Sequence, residues 1–84
     1  MIITFTKLAA KDLFYWKKKD NRIFLRIKFL LREIEQSPLT GIGKPEKLVG
    51  NLAGYYSRRI THEHRLIYSN RTDQITVISC RFHY

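Results

Sequence analysis

Glu46 is a lone carboxylate in a glycine- and lysine-containing loop, between Lys44 and Lys47 and shortly before a basic stretch running from Tyr55 to Tyr68. A carboxylate held among cations stays ionised and can take a proton as a general base. The plainer reading is a solvated acid paired to a neighbouring lysine. His83 stands one residue from the end and carries the side chain best suited to trade a proton near neutral pH. Read alone, such a residue is more often a frayed terminus than a catalyst. Arg59 and Arg65 fall on two stretches that alternate like the strands of a hairpin. Pairing would bring their like charges together on one sheet surface, which ordinary surface strands avoid, so something negative belongs there. A carboxylate base, a histidine acid and arginines that hold phosphate form a coherent set. It suits attack by a ribose 2′-hydroxyl on the adjacent phosphorus. Glu46 would remove the hydroxyl proton, Arg65 would stabilise charge on the phosphorane, and His83 would protonate the leaving 5′-oxygen. Tyr55, Tyr56, Phe82 and Tyr84 could stack bases. Core packing is the better account of Phe82 and an equal one for the tyrosines.

Other chemistries find little support. His62 and His64 flank Glu63, but no paired cysteines or helical HExxH spacing accompany them, so no metal or other cofactor is expected. The run Gly41-Ile42-Gly43-Lys44-Pro45 lacks phosphate-loop spacing, and Ser57 and Ser69 have no nucleophile motif around them. Cys80 is the single cysteine, lies in an apolar run and reads as a small core residue. One cysteine permits no intrachain disulfide and fits a reducing, cytoplasmic setting. The net charge of +9 asks for an anionic partner. No stretch approaches the roughly 20 apolar residues that span a bilayer, and a membrane-surface role is the weakest use of that charge.

The elements must bring distant residues together. The chain has 84 residues and 44% apolar content, which suits one small domain over residues 1–84. Ile2 to Phe5 reads as a first strand. Thr6 can cap a helix to about Lys19 with Leu13, Phe14 and Trp16 as apolar anchors, and Asp20 can cap a second. Ile23, Ile27, Leu30 and Ile34 form its stripe, and Ser37-Pro38 ends it. A loop from Leu39 to Leu52 follows, with a short strand expected at Lys47 to Val49. Then come the basic hairpin, a turn at Asn70 to Asp73, and a last strand from Ile75 to Tyr84. The predicted class is α+β: β-α-α followed by an antiparallel meander, with two helices packed on one face of the sheet. Alternation places Tyr56, Arg58 and Ile60 on one side, and Tyr55, Ser57 and Arg59 on the other. If Ile60, Leu66, Tyr68, Ile78 and Cys80 face the helices, the free face carries Arg59, Arg65, Arg81 and His83.

Across essentially its whole length the sequence resembles the Txe/YoeB toxins, a branch of the RelE-like fold. The resemblance rests on Tyr15-Trp16, on residues 41–46 and 51–60, on His64-Arg65-Leu66-Ile67-Tyr68, and on the ending Cys80-Arg81-Phe82-His83-Tyr84. It implies a microbial ribonuclease fold that cuts messenger RNA in the ribosomal A site. By position it makes Glu46 the general base, His83 the general acid and Arg65 the phosphate contact, with Tyr84 shaping the site. Lys44, Lys47, Arg58, Arg59 and Arg81 are then the expected RNA contacts. The implied partners are the ribosome and its messenger, a second copy in a homodimer, and a YefM/Phd-type antitoxin with an acidic, disordered tail. Many relatives carry lysine where this chain has Val49, which removes one cation near Glu46. Phe82 replaces a more usual tyrosine. The rival reading is a non-catalytic module that binds RNA or the ribosome and blocks translation.

Overall fold

The computed structural model describes residues 2–82. Strand β1, Ile2–Phe5, leads through Thr6 into helix α1, Lys7–Lys19. The Thr6 hydroxyl accepts from the Ala9 N–H at 3.1 Å and so caps the helix, as expected. Lys17, Lys18 and Lys19 occupy the last turn, where cations suit the helix dipole. Asp20 serves two helices. Its N–H donates to Trp16 O at 2.9 Å, closing α1, while its carboxylate accepts from Arg22 N–H at 3.1 Å and opens α2, Asn21–Gln36. The predicted stripe holds, with Ile27, Leu30 and Ile34 fully buried and Ile23 packed at the core's edge. None of the helices in the described residues is long and apolar enough to cross a membrane.

Four more strands follow: β2, Glu46–Lys47; β3, Tyr55–Arg59; β4, Arg65–Arg71; and β5, Gln74–Ser79. A 3₁₀ turn at Gly50–Leu52 separates β2 from β3. The sheet order is β1-β5-β4-β3-β2, with β1 parallel to β5 and the other pairings antiparallel. The α+β class is therefore as expected, two helices against one sheet, and the sheet is mixed because the first strand joins beside the last. Tyr56, Arg58, Ile60, Leu66 and Tyr68 share the helix-facing side, as alternation requires.

Four expectations change. The short strand lies at Glu46–Lys47, not Lys47 to Val49. Phe14 is exposed, and α1 instead buries Ala9, Asp12 and Trp16. Ile78 does not face the helices. Ile67 pairs with Ser79 and Tyr68 with Val77, so Ile78 is the extra residue of a β-bulge. Before the bulge the core positions are Ile75 and Val77; after it, Cys80. The Thr6 hydroxyl donates to the Ile78 carbonyl at 2.9 Å, tying the bulge to the start of α1.

The fourth concerns the last strand, expected from Ile75 to Tyr84, which is regular only over Gln74–Ser79, so that Cys80 leaves the ladder and meets α1. There the Asp12 carboxylate accepts from Cys80 N–H at 3.0 Å, and Trp16 Nε1–H donates to Cys80 O at 2.8 Å. Burial first, and the Asp12 carboxylate second, push the Cys80 thiol up to about 12. The thiol is thus a neutral core group. Replacing Asp12 with alanine leaves that buried N–H without an acceptor and should lower stability by about 1–3 kcal/mol, read as a shifted urea midpoint. The stabilisation from the neutral thiol is fully present below its ordinary value of 9.0 and is lost as pH rises from there towards about 12. A Cys80→Ala variant, compared by urea midpoint over that range, should show a shallower decline than the parent.

Candidate active site

The loop that carries Lys44 and Glu46 has almost no regular hydrogen bonding of its own, so its carbonyls need donors from elsewhere. Arg58 supplies them. Its side chain is fully buried. Nη1 donates to Ile42 O at 3.0 Å, Nη2 to Thr40 O at 2.8 Å and to Ser37 O, and Nε to the Tyr68 hydroxyl at 3.2 Å. The Tyr68 hydroxyl donates in turn to Pro38 O. Burial raises the Tyr68 phenol above its ordinary value, and the hydrogen bond from Arg58 partly offsets this. Arg58 is therefore not an RNA contact. It points into the protein from the helix-facing side of β3 and shapes the loop.

Gly43 completes the junction. Its φ is +90°, and a Cβ there would lie 3.1 Å from Leu30 Cδ2 and 3.2 Å from Arg58 Cβ. Its carbonyl accepts from Arg59 N–H at 2.6 Å, which docks the loop against the end of β3. Lys44 follows at φ +49°, and Glu46 opens β2 opposite Ser57. The result is a cleft of about 260 Å³ on the free face of the sheet. Lys44, Glu46, Arg59 and Arg65 line it, over a floor of Leu48, Ser57 and Ile67. Three cations thus surround one carboxylate, in a space open to solvent. Ser57 and Ile67 were identifiable as floor residues by alternation with Arg59 and Arg65; Leu48 depended on how the loop folds back.

Arg65 is held as well as placed. One of its terminal nitrogens donates to Thr61 O at 2.8 Å, His62 O at 3.1 Å and His64 O at 3.2 Å. The Thr61 hydroxyl accepts from the N–H groups of Glu63 and His64, so the turn presenting those carbonyls is itself cross-bonded. The guanidinium is anchored at one corner with donors left for an anion.

The remaining expected site residues separate. Lys47 pairs with Tyr56, on the opposite side of β2 from Glu46, and does not line the cleft. Val49 is 83% exposed beyond it. Arg81 does not join Arg59 and Arg65. Its guanidinium lies 3.6 Å from the Tyr15 ring centroid and 4.6 Å from that of Phe82, a cation–π stack beside α1. Regular β5 ends at Ser79, so the strand alternation that predicted Arg81 on the free face does not extend to it. His83 and Tyr84 lie outside the described residues. His64 is buried, and its Nδ1 accepts from Phe82 N–H at 2.7 Å. It shares the parity of Leu66 and Tyr68, which is the signal that marks it as an inward residue.

Comparison with known proteins follows the same outline. The family model described as the YoeB-like toxin of bacterial type II toxin–antitoxin systems matches residues 5–84. Toxin YoeB of Synechocystis is 46% identical over 84 residues, covering 100% of this chain and 98% of its own. The YoeB/ParE toxin from Agrobacterium tumefaciens superposes with a TM-score of 0.96 at 42% identity, over the full length of both chains. Staphylococcus aureus YoeB in its heterotetrameric complex with YefM superposes at 0.92 with 47% identity, covering 100% of this chain and 98% of its own. The same toxin has also been solved as a dimer.

Replacing Arg58 with methionine removes the donors to Ser37, Thr40 and Ile42 and should cost at least about 2 kcal/mol. Arg59→Met, next along the strand but opening on the cleft, should stay within about 0.5 kcal/mol. Equal denaturation midpoints for the two variants would contradict the assignment of Arg58 to the interior.

Proposed function

The chain belongs to the YoeB-like toxins of bacterial type II toxin–antitoxin systems, and from that premise we propose that it is an endoribonuclease cutting messenger RNA on the ribosome. The observation that carries this reading is the meeting of Lys44, Glu46, Arg59 and Arg65 in one cleft, although the sequence separates them by a loop and a hairpin. Glu46 takes the proton of a ribose 2′-hydroxyl as its oxygen attacks the adjacent phosphorus. Charge builds on the non-bridging oxygens of the phosphorane. Arg65, pre-oriented by the turn carbonyls, meets that charge without needing to reorganise. Arg59 and Lys44 hold the flanking phosphates. His83 protonates the 5′-oxygen as its bond to phosphorus breaks, with Tyr84 shaping that side of the site. The products are a 2′,3′-cyclic phosphate and a 5′-hydroxyl. Base, acid and electrostatic stabiliser are all side chains, so the reaction as proposed requires no metal or other cofactor.

Two features support a ribosomal and regulated setting. The net charge of +9 favours association with ribosomal RNA, and it equally favours capture by an acidic, disordered segment of an antitoxin of the YefM type. The S. aureus relative has been solved both as a dimer and with YefM, and we extend both assemblies to this cytoplasmic protein. Lys47, on the outer side of β2, contributes to long-range attraction of RNA rather than to the reacting phosphate.

Addition of purified protein to a bacterial cell-free translation reaction, with new messenger ends mapped by primer extension, tests the proposal. Codon-positioned cuts that depend on ribosomes are expected. Glu46→Gln should slow cutting by about 10²–10⁴-fold with ribosome affinity retained, whereas Arg65→Ala should weaken both. Translation arrest over intact messenger would identify a non-catalytic ribosome binder instead.

A further inference from the structure

Phe82 is held in place without being packed in place. Its φ is +64°, a conformation that L residues rarely adopt, and its side chain is 59% exposed, so burial does not impose that backbone. Hydrogen bonds do. Phe82 N–H donates to His64 Nδ1 at 2.7 Å, and Phe82 O accepts from Arg65 N–H at 2.9 Å. Two consecutive residues at the start of β4 thus grip both polar backbone atoms of one residue near the end of the chain. The second of them places its guanidinium in the cleft.

The His64 side chain suits this task, since among the described residues its ring accepts the hydrogen bond of Phe82 N–H. It is buried, does not line the cleft, and sets its ring edge-on to Trp16 at 4.7 Å between centroids and 72° between planes. Trp16 is itself fixed by its bond to Cys80 O. An imidazole nitrogen that accepts an N–H must offer its lone pair, so the ring proton resides on Nε2. We infer that His64 is a positioning residue for the carboxyl-terminal tail. It fixes Phe82, the residue before His83 in the sequence, beside Arg65. The inference rests on the reading above in which His83 is the general acid, and it assigns to His64 the alignment of that acid with the phosphate that Arg65 contacts.

Side-chain geometry offers a direct test. The amide oxygen of asparagine falls close to where Nδ1 sits, the glutamine oxygen reaches instead towards the Nε2 position, and leucine has no acceptor. His64→Leu and His64→Gln should lower the single-turnover cleavage rate on saturating programmed ribosomes by about 10²-fold, the scale of a misplaced catalytic group. KM should be unchanged, and His64→Asn should restore most of the rate. Melting temperatures of all three report whether the fold survives. Equal rates in the three variants, or rates that simply follow melting temperature, overturn the inference. His83→Ala belongs in the same assay. If it cuts as fast as the parent, the acid assignment fails and the inference falls with it. If it is inactive while folded His64→Leu is fully active, the acid assignment stands and His64 has no positioning role.

Discussion

The guanidinium of Arg58 is a buried cation whose partners among the described residues are carbonyls and a phenol, and the architecture around the cleft follows from how that charge is satisfied. A cation removed from water is costly unless its donors are met. Here they are met by backbone carbonyls that are themselves short of donors. Ser37 is the C-cap of α2, whose last turn carries no basic residue, so its carbonyl sits at the negative end of an uncompensated helix dipole. Thr40 and Ile42 lie in irregular chain with no ladder to join. One side chain from β3 therefore resolves a helix end and a loop at once. Lysine would offer no planar fork to spread donors over so wide an arc. Because the same loop continues into Gly43, Lys44 and Glu46, the chemistry proposed for the cleft inherits its geometry from an interaction on the other side of the sheet.

That inheritance explains how one strand serves two purposes. Arg58 and Arg59 are adjacent and chemically identical, yet one is wholly inside and the other opens on the cleft. Period-two alternation sends them to opposite faces. Helices cover only one face, so the other is left to the loop, which folds back over it and turns a flat surface into a recess. The clustering of positive charge within that recess is destabilising for the isolated fold and useful to a protein that must meet phosphate.

Much of this was legible in the residues. The cap at Thr6, the shared cap at Asp20, the stripe from Ile23 to Ile34 and the faces of β3 and β4 all follow from local pattern. The burial of Arg58 was present in that same alternation, between Tyr56 and Ile60, but residue type argued for RNA and type was the poorer guide. Glu46, Arg59 and Arg65 could be grouped from chemistry, while the floor under them required the fold. Ile78 marks the limit of pattern reading. A bulge inserts one residue without altering the apolar character of a strand, so alternation counted back from Cys80 puts Ile78 on the core face in place of Ile75 and Val77. Arg81 was misplaced for another reason, because regular β5 stops at Ser79 and alternation has no hold beyond it. Asp12 was missed because a carboxylate on a core face makes sense only once its partner, the Cys80 amide, is known to arrive there.

The position of β1 beside β5 carries a consequence for the birth of the protein. β1 is the first strand to be synthesised, yet its sheet partner is the last, and the Asp12 and Trp16 bonds likewise wait for Cys80. Contacts between the two ends of a chain pay the largest loop-closure entropy and cannot form before both ends exist. A nascent chain from which β5 and Cys80 have not yet emerged thus lacks the strand that flanks β1 and the segment gripped by α1. The fold closes only once β5 and Cys80 are available to it. For a toxin of this family, the polypeptide remains an unfinished object until β5 has cleared the ribosome that makes it.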